Sequence, residues 1–212
     1  MRGIGNDIVD LTSIDIARAS NPRFYSKILS NTEQQLYHQQ FAALPFHQYL
    51  WLIWSVKESA YKCLQRHQAD LVFTPVKVEI IQLVSPVHPA PAIHRQLVSS
   101  GFDQDVYFKS IIQFNDQTLY ARSIIYGDVL IHTVALFSDD FGKVQWGVKQ
   151  IERTDPESLS AEVRSFLLDR IKMLFPGKEL AFDKHASGYP FIVDEGLVFS
   201  LSHHGRFVGY AF

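Results

Sequence analysis

The stretch at 47–67 constrains this chain most, because its pattern predicts one long helix that buries one side and carries charge on the other. Its apolar residues gather on broad faces: Leu50, Ile53, Trp54, Ala60, Tyr61 and Leu64. With 3.6 residues per turn, Ser55, Glu58 and Lys62 fall on one stripe. Taken alone, a Glu–Lys pair four residues apart is a common surface feature that contributes only about 0.3 kcal/mol. Any further role for the stripe depends on polar residues elsewhere in the chain.

The bulk composition is that of an ordinary soluble globular protein, with 47% hydrophobic and 20% charged residues among 212. A formal net charge of −2 excludes the broad basic footprint of nucleic-acid-binding proteins, so we expect no nucleic-acid partner. The single cysteine, Cys63, excludes an internal disulfide and fits a reducing compartment. No apolar run approaches the roughly 20 residues of a membrane span, and the N-terminus lacks the pattern of a secretion signal. We therefore expect a cytoplasmic protein with no membrane partner.

Helix and strand patterns alternate along the rest of the chain. A short strand is predicted at 3–11, and helical pieces at 15–40 with a break near Asn21-Pro22 and a capping box at Ser30–Glu33. Residues rich in β-branched and aromatic side chains predict strands at 73–84, 105–115, 118–126 and 129–137, and 141–151 is a further candidate. The proline-bearing segment 85–101 is predicted to be a loop.

The last part of the chain repeats the order of helix followed by strands. After residue 158 one helix face collects apolar residues: Leu159, Val163, Phe166, Leu167, Ile171 and Leu174. A hairpin with polar residues at its bend is predicted at 197–212. Two halves of related build are one arrangement that this order allows.

Polar residues form three clusters: Asp7 with Asp10, Lys57 with Glu58 and Lys62, and Ser202 with His203, His204 and Arg206. Each could be a purely structural strand end, surface pair or turn. A hydrolase built on Ser202 and His203 is disfavoured, since neighbouring residues of a strand point to opposite faces. Carboxylates from two separate elements suit Mg²⁺, which completes its shell with water and substrate phosphate oxygens, and nearby lysines then suit the phosphates.

These residues resemble the 4′-phosphopantetheinyl transferases, whose signature pairs a Gly-x-Asp strand with a Trp/Phe-Ser-x-Lys-Glu-Ser/Ala-x-x-Lys helix. Gly5-Asn6-Asp7 and residues 54–62 match that signature, and further similarity lies at 27–33, at Gly188-x-Pro190 and at 199–206. In the longer, monomeric type of this family two similar halves are fused, with the Ser-His half first, whereas here it stands last. The resemblance therefore implies an α+β monomer.

The implied architecture is a pseudo-dimer of two similar α+β halves in permuted order, each with a small antiparallel sheet and a long helix. The first half, 1–145, carries the Gly-x-Asp strand and the Lys-Glu helix. The second half, 146–212, carries the Gly-x-Pro turn and the Ser-His hairpin. Such a permutation costs little when chain termini lie close together.

The resemblance also implies site residues for catalysis and metal binding. Asp7 and Glu58 would bind Mg²⁺, and Lys62 would contact the pyrophosphate of coenzyme A. Val9 stands where the longer type often has a further acid, so water or Asp10 would complete the metal shell. These residues form the catalytic group that the resemblance predicts.

Contacts to the rest of coenzyme A are implied at several other positions. Lys57 would orient a nearby phosphate or support Glu58, and Ser202 with His203 would hold phosphates of the nucleotide. Arg164 would contact the 3′-phosphate, while Tyr189 replaces a lysine often found inside Gly-x-Pro.

The implied reaction is attack by a serine hydroxyl of an apo carrier protein on the pantetheine-side phosphorus of coenzyme A, with release of 3′,5′-ADP. Glu58, or a water on the metal, would accept the proton. Carrier proteins of this kind are acidic, which makes Arg18, Arg23 and Lys27 candidates for carrier contact. A second hypothesis is a non-catalytic coenzyme A or nucleotide-binding interaction module of the same fold, which would need no metal-binding acid pair.

Overall fold

The computed structural model describes residues 3–68, 70–102, 105–177, 182–184, 190–192 and 197–212. The helices in this part are α1 Ile16–Ala19, α2 Pro22–Tyr25, α3 Asn31–Leu36, α4 Phe46–Gln65 and α5 Pro156–Leu174. The strands are β1 Ile4–Asp10, β2 Glu79–Val84, β3 Gln96–Ser100, β4 Phe108–Phe114, β5 Gln117–Tyr126, β6 Leu130–Leu136, β7 Gln145–Gln150, β8 Phe182–Lys184, β9 Pro190–Ile192, β10 Ser200–His204 and β11 Phe207–Ala211. None of these helices has the length and apolar character that crossing a membrane requires.

Helix α4 confirms the long helix predicted at 47–67. It begins after Pro45 and its last turn carries Lys62. Twelve of its 20 residues are buried, and the half-buried ones, among them Trp51, Trp54, Glu58 and Lys62, lie along one stripe. Because the broad buried face belongs to the core, α4 fixes the positions of the elements that pack on it.

The helices between β1 and α4 are short, and each begins at an N-cap residue of its own. Asn21 caps α2 and Pro22 occupies its first turn, which confirms the predicted break. Ser30 and Glu33 form the predicted capping box at the start of α3. The segment predicted as helical pieces at 15–40 therefore consists of α1, α2, α3 and a π-turn at 37–41.

A five-stranded antiparallel sheet, which we call sheet A, lies against α4 in the order β1-β6-β5-β4-β2. It contains the predicted meander, whose turns use Asn115 and Gly127 in the left-handed backbone region. The side of sheet A that faces α4 contributes small and branched residues to a shared core: Val9, Ile80, Ile112, Leu119, Ala121, Ile131 and Ala135. This packing confirms the predicted α+β class.

A second antiparallel sheet, sheet B, has the order β10-β11-β7-β3. The predicted loop at 85–101 is wrong for its last residues, since Gln96–Ser100 forms β3 and pairs with β7. The prolines at 86, 89 and 91 end before this strand, so they do not prevent it from pairing. Because β3 precedes residue 145 and yet belongs to sheet B, the two sheets do not divide the chain at one point, and the division into 1–145 and 146–212 stays a prediction.

Helix α5 covers the outer side of sheet B and begins at an Asp155 cap. Five of the residues predicted for its buried face are buried: Leu159, Val163, Phe166, Leu167 and Ile171. Leu174 is 37% exposed, because it lies at the last residue of the helix, beyond the edge of the sheet contact. The layers therefore follow the order α4, sheet A, sheet B and α5.

Strand β1 is buried along its whole length between two layers. Its odd-numbered residues face α4, where a Cβ atom at Gly5 would lie 1.9 Å from the Ser59 carbonyl oxygen. Its even-numbered residues face sheet B, where a Cβ atom at Gly209 would lie 2.4 Å from Ile8 Cδ1. Both approaches require glycine, since any larger side chain would separate the layers.

We expect Gly5→Ala to lower the free energy of unfolding by about 3 kcal/mol, because the new methyl group meets the backbone of α4 rather than a movable side chain. Urea denaturation followed by circular dichroism measures this loss. Gly142→Ala is the control, since its Cβ would meet only Asp140 Oδ1 at 3.6 Å. Equal stabilities for the two variants would contradict the close packing of β1 on α4.

Candidate functional site

The charged stripe of α4 meets β1 at Asp7. Lys62 Nζ lies 3.1 Å from Asp7 Oδ1 and 3.1 Å from Glu58 Oε1. The same ammonium donates a hydrogen bond to the Asn6 carbonyl oxygen at 3.1 Å. Strand alternation turns Asp7 toward α4, and the i,i+4 spacing brings Glu58 beside Lys62. One cation thus bridges two carboxylates from separate elements.

Burial controls the electrostatics of this cluster. Desolvation is the main cause that raises the pKa of Asp7; with the opposing effect of Lys62 and the additional negative charge of Glu58 included, that pKa is about 7. For Lys62, burial lowers the pKa, but Asp7 and Glu58 together raise it above its usual value. Two carboxylates therefore share a single positive charge.

The cluster contains two carboxylates and one ammonium, so a second cation could neutralise the remaining negative charge. Asp7 Oδ2 is buried and has no hydrogen-bond partner among the described residues. Within the same part of the chain no group of three or more His, Cys, Asp and Glu side chains could hold a metal ion. The donor set is thus a carboxylate pair, which fits Mg²⁺ because this ion is often held by one or two carboxylates and fills its shell with water and phosphate oxygens.

Strand β10 is joined to β1 through its alternate side chains. Ser200 Oγ accepts a hydrogen bond from the Asn6 backbone N–H at 2.9 Å, and Ser202 Oγ accepts one from Asn6 Nδ2 at 2.7 Å. His204 Nδ1 accepts a hydrogen bond from the Asp10 N–H at 3.0 Å. Strand β1 is at the edge of sheet A, and these contacts satisfy donors on its free side.

His203 lies on the opposite face of β10 and is exposed. Partial burial lowers its pKa, the positive charges of Lys62 and His204 lower it further, and Glu58 opposes the shift. Its neighbour Ser202 is bonded to Asn6, whose carbonyl oxygen accepts a hydrogen bond from Lys62, so the backbone at His203 lies near the α4 cluster. The structure therefore brings Asp7, Glu58, Lys62 and His203 to one region.

Comparison with known proteins decides the family. A family model described as the 4′-phosphopantetheinyl transferase superfamily matches residues 3–119, more than half of the chain. The chain belongs to this superfamily. No curated protein and no solved structure matches the chain. The matched region contains Asp7, Glu58 and Lys62, whereas His203 lies outside it.

Lys57 differs from its expected place beside coenzyme A. Its side chain is 0% exposed, and its Nζ lies 2.7 Å from Glu33 Oε2 and 2.8 Å from the Ile28 carbonyl oxygen. Adjacent helix residues are rotated by about 100°, so Lys57 points away from Glu58. Glu33 also accepts hydrogen bonds from the backbone of Ser30 and Ile80. In this superfamily member Lys57 ties α4 to α3 and β2.

The Asp10 carboxylate is also hydrogen-bonded to groups other than the carboxylate pair. One carboxylate oxygen accepts from the Thr12 backbone at 3.0 Å, and the other accepts from the Arg206 backbone at 2.9 Å. Gly205, with a φ of 54°, closes the β10–β11 turn so tightly that a Cβ atom there would lie 2.3 Å from Asp10 Oδ2. Residues three apart on a strand face opposite sides, which turns Asp10 away from Asp7. Of the two suggestions for completing a metal shell, this geometry favours water.

The other residues that were predicted to contact coenzyme A lie in different surroundings. Ser202 is buried and bonded to Asn6, so its hydroxyl points into the protein and away from solvent. Arg164 is exposed on α5, and no hydrogen bond or ion pair within the described residues joins it to the α4 cluster. Gly188 and Tyr189 lie outside the described residues. The roles of Arg164 and Tyr189 stay predictions.

A mostly apolar groove of about 590 Å³ lies next to the cluster. Its lining includes Trp54, one turn before Glu58 on α4, and His204 of the C-terminal hairpin. Arg18 and Lys27 also line it, and the Arg18 guanidinium lies 4.7 Å from the centre of the Phe24 ring. The groove thus combines aromatic walls with two basic side chains.

Two residues that make hydrogen bonds in this region were not singled out from the sequence. Asn6 occupies the variable position of Gly-x-Asp, and Ser200 precedes the Ser-His pair. The alternation Ser200, Ser202, His204 is a signal for three polar side chains on one strand face, but their partner on β1 is set by tertiary packing.

We expect Lys57→Met to lower the free energy of unfolding by about 3–5 kcal/mol, because it leaves the Glu33 carboxylate buried without its ammonium partner. Chemical denaturation measures the loss. Lys149→Met is the matched control, since the Lys149–Glu162 pair at 2.9 Å is solvent-exposed and should contribute less than about 1 kcal/mol. If Lys57→Met is as stable as the control, the assigned structural role is wrong.

Proposed function

We propose that this protein transfers the 4′-phosphopantetheine group of coenzyme A to a serine of an apo carrier protein and releases 3′,5′-ADP. The observation that carries the proposal is the pair Asp7 and Glu58, held by Lys62, with one buried carboxylate oxygen left without a partner. Membership of the superfamily supports the reaction class.

Asp7 and Glu58 would hold Mg²⁺, which supplies Lewis-acid stabilisation of the charge on the diphosphate when it is bound. Lys62 would donate hydrogen bonds to a diphosphate oxygen, giving up part of its contact with the carboxylates. His203, exposed near Lys62 and Glu58, would hold a phosphate of the nucleotide. Positioning and charge neutralisation provide most of the rate enhancement in phosphoryl-type transfer.

The chemical step exchanges one bond to phosphorus for another. The carrier serine oxygen forms a bond to the pantetheine-side phosphorus, and the bond from that phosphorus to the bridging oxygen breaks. The departing 3′,5′-ADP takes the electron pair of the broken bond. Glu58 is 26% exposed and would accept the serine proton.

The alternative, a non-catalytic coenzyme A-binding module, explains the site less well. Two carboxylates that share one ammonium would repel the diphosphate in the absence of a metal. A module that only binds the nucleotide gains nothing from that repulsion. The acid pair therefore favours metal-assisted transfer.

Glu58→Gln keeps the shape of the side chain but removes its charge, so we expect transfer to fall by at least about 100-fold. Mass spectrometry of several apo carrier proteins incubated with coenzyme A and Mg²⁺ detects the added phosphopantetheine group. Glu162→Gln, at an exposed pair on α5, is the control and should retain wild-type transfer. Near-normal transfer by Glu58→Gln would refute the role of Glu58. Coenzyme A binding by the wild type without transfer to any carrier would favour the module.

The groove beside the cluster supports a place for the carrier. Arg18 and Lys27 line it, and Arg23 is exposed on the adjoining α2. Because the formal net charge of the whole chain is −2, attraction of an acidic carrier depends on local basic residues of this kind. We therefore place the carrier over α1 and α2.

Charge reversal in Arg18→Glu and Lys27→Glu should raise KM for the carrier about tenfold, with a smaller change in KM for coenzyme A. Steady-state kinetics with each substrate varied in turn measures both constants. Lys172→Glu, exposed on α5, serves as the charge-matched control. Equal changes in both KM values would exclude this surface as the carrier site.

A further inference from the structure

Asn6 makes contacts in three directions from the interior of the protein. It is 0% exposed, and its backbone N–H and side-chain Nδ2 donate to Ser200 and Ser202 of β10. Its carbonyl oxygen accepts a hydrogen bond from Lys62 Nζ at 3.1 Å. Asn6 is therefore bonded both to the C-terminal hairpin and to the ammonium that bridges Asp7 and Glu58.

Stability alone does not explain an asparagine at this position. The amide oxygen, Asn6 Oδ1, is buried without a hydrogen-bond partner in the described part of the chain. A buried polar atom without a partner is unfavourable, which offsets what the bond to Ser202 contributes. An apolar residue of similar size would avoid that cost, and neighbouring Ile4 and Ile8 on the same strand face are apolar.

The geometry connects the two sides of the cluster through this residue. Asp7 follows Asn6 on β1 and points toward α4, whereas His203 follows Ser202 on β10 and is exposed. The bond of 2.7 Å from Asn6 Nδ2 to Ser202 Oγ therefore links the backbone positions directly before Asp7 and His203. A change in this bond alters the separation between them.

We infer that Asn6 is a positioning residue that fixes the C-terminal hairpin, and with it His203, relative to Lys62 and Asp7. This inference deepens the proposed function and rests on it for its consequence in catalysis. If His203 holds a phosphate of the nucleotide, loss of the Asn6 amide weakens binding of coenzyme A more than it slows the chemical step. Ser202 then acts by holding the hairpin from inside.

Asn6→Val tests the amide alone, because the backbone bonds to Ser200 and Lys62 stay in place. We expect KM for coenzyme A to rise by up to about tenfold, the equivalent of one lost hydrogen bond, with kcat changed by less than about twofold. Calorimetry with coenzyme A should show the same loss of affinity. The Cε1–H resonance of His203, assigned with His203→Gln, should shift because the surroundings of the ring change.

Gln48→Leu is the matched control for a merely structural effect. Gln48 Nε2 donates to Asp128 Oδ1 at 2.5 Å, which joins α4 to the β5–β6 turn within the same layers. This variant loses that partly buried hydrogen bond and a longer one to the Gly127 carbonyl oxygen at 3.5 Å, but it should leave the His203 resonance and the affinity for coenzyme A unchanged. The inference is overturned if Asn6→Val leaves both unchanged, or if Gln48→Leu changes them equally.

Ser202→Ala provides a second route if Asn6→Val does not fold, since it removes the same bond without adding bulk. It should shift the His203 resonance in the same direction, and in the double variant the two effects should not add. Additive effects would show that Asn6 and Ser202 act separately and would overturn the inference. The His203 resonance needs no turnover, so it tests the positioning role even if the wild type transfers no phosphopantetheine.

Discussion

The close approach of β1 to α4 at Gly5 is the contact on which the rest of the structure depends. Without a Cβ atom there, the strand lies directly on the helix backbone, and Gly209 allows sheet B to approach the other side equally closely. Strand alternation then sends Asp7 toward α4 and Asn6 toward the C-terminal hairpin. A single buried strand thus supplies groups to both sides of the cluster.

Helix α4 carries two lysines in ion pairs whose surroundings give them different roles. Lys57 is buried, and its ammonium donates hydrogen bonds to Glu33 and to one backbone carbonyl oxygen. Glu33 in turn accepts hydrogen bonds from two backbone N–H groups. Lys62 is 24% exposed and shared between two carboxylates, one of which keeps an unpaired oxygen. A buried ion pair whose groups are all hydrogen-bonded can only hold elements together. A partly exposed ion pair with an unpaired oxygen can exchange partners with a charged substrate.

Local patterns in the sequence were enough to predict α4, the capping box at Ser30, the meander and the buried face of α5. The signature spacing also identified Asp7, Glu58 and Lys62 as one group. The direction of Lys57 was not predictable, because the partner that turns it inward, Glu33, is brought near by tertiary folding. The bond of Ser202 to Asn6 is also set by tertiary folding, so Ser202 was expected to contact phosphate instead. Strand β3 was not predicted because Gln96–Ser100, which pairs with β7, lies in the proline-bearing segment 85–101.

The ties between β1 and β10 join residues 194 and 196 positions apart in the chain. During synthesis the Gly-x-Asp strand emerges long before the side chains that satisfy its free edge. Until then the donors of Asn6 and Asp10 have only water as partner, and His203 is absent from the cluster. The cluster is therefore completed only when β10 has been made, which delays its assembly until the carboxylates and the hairpin can form together.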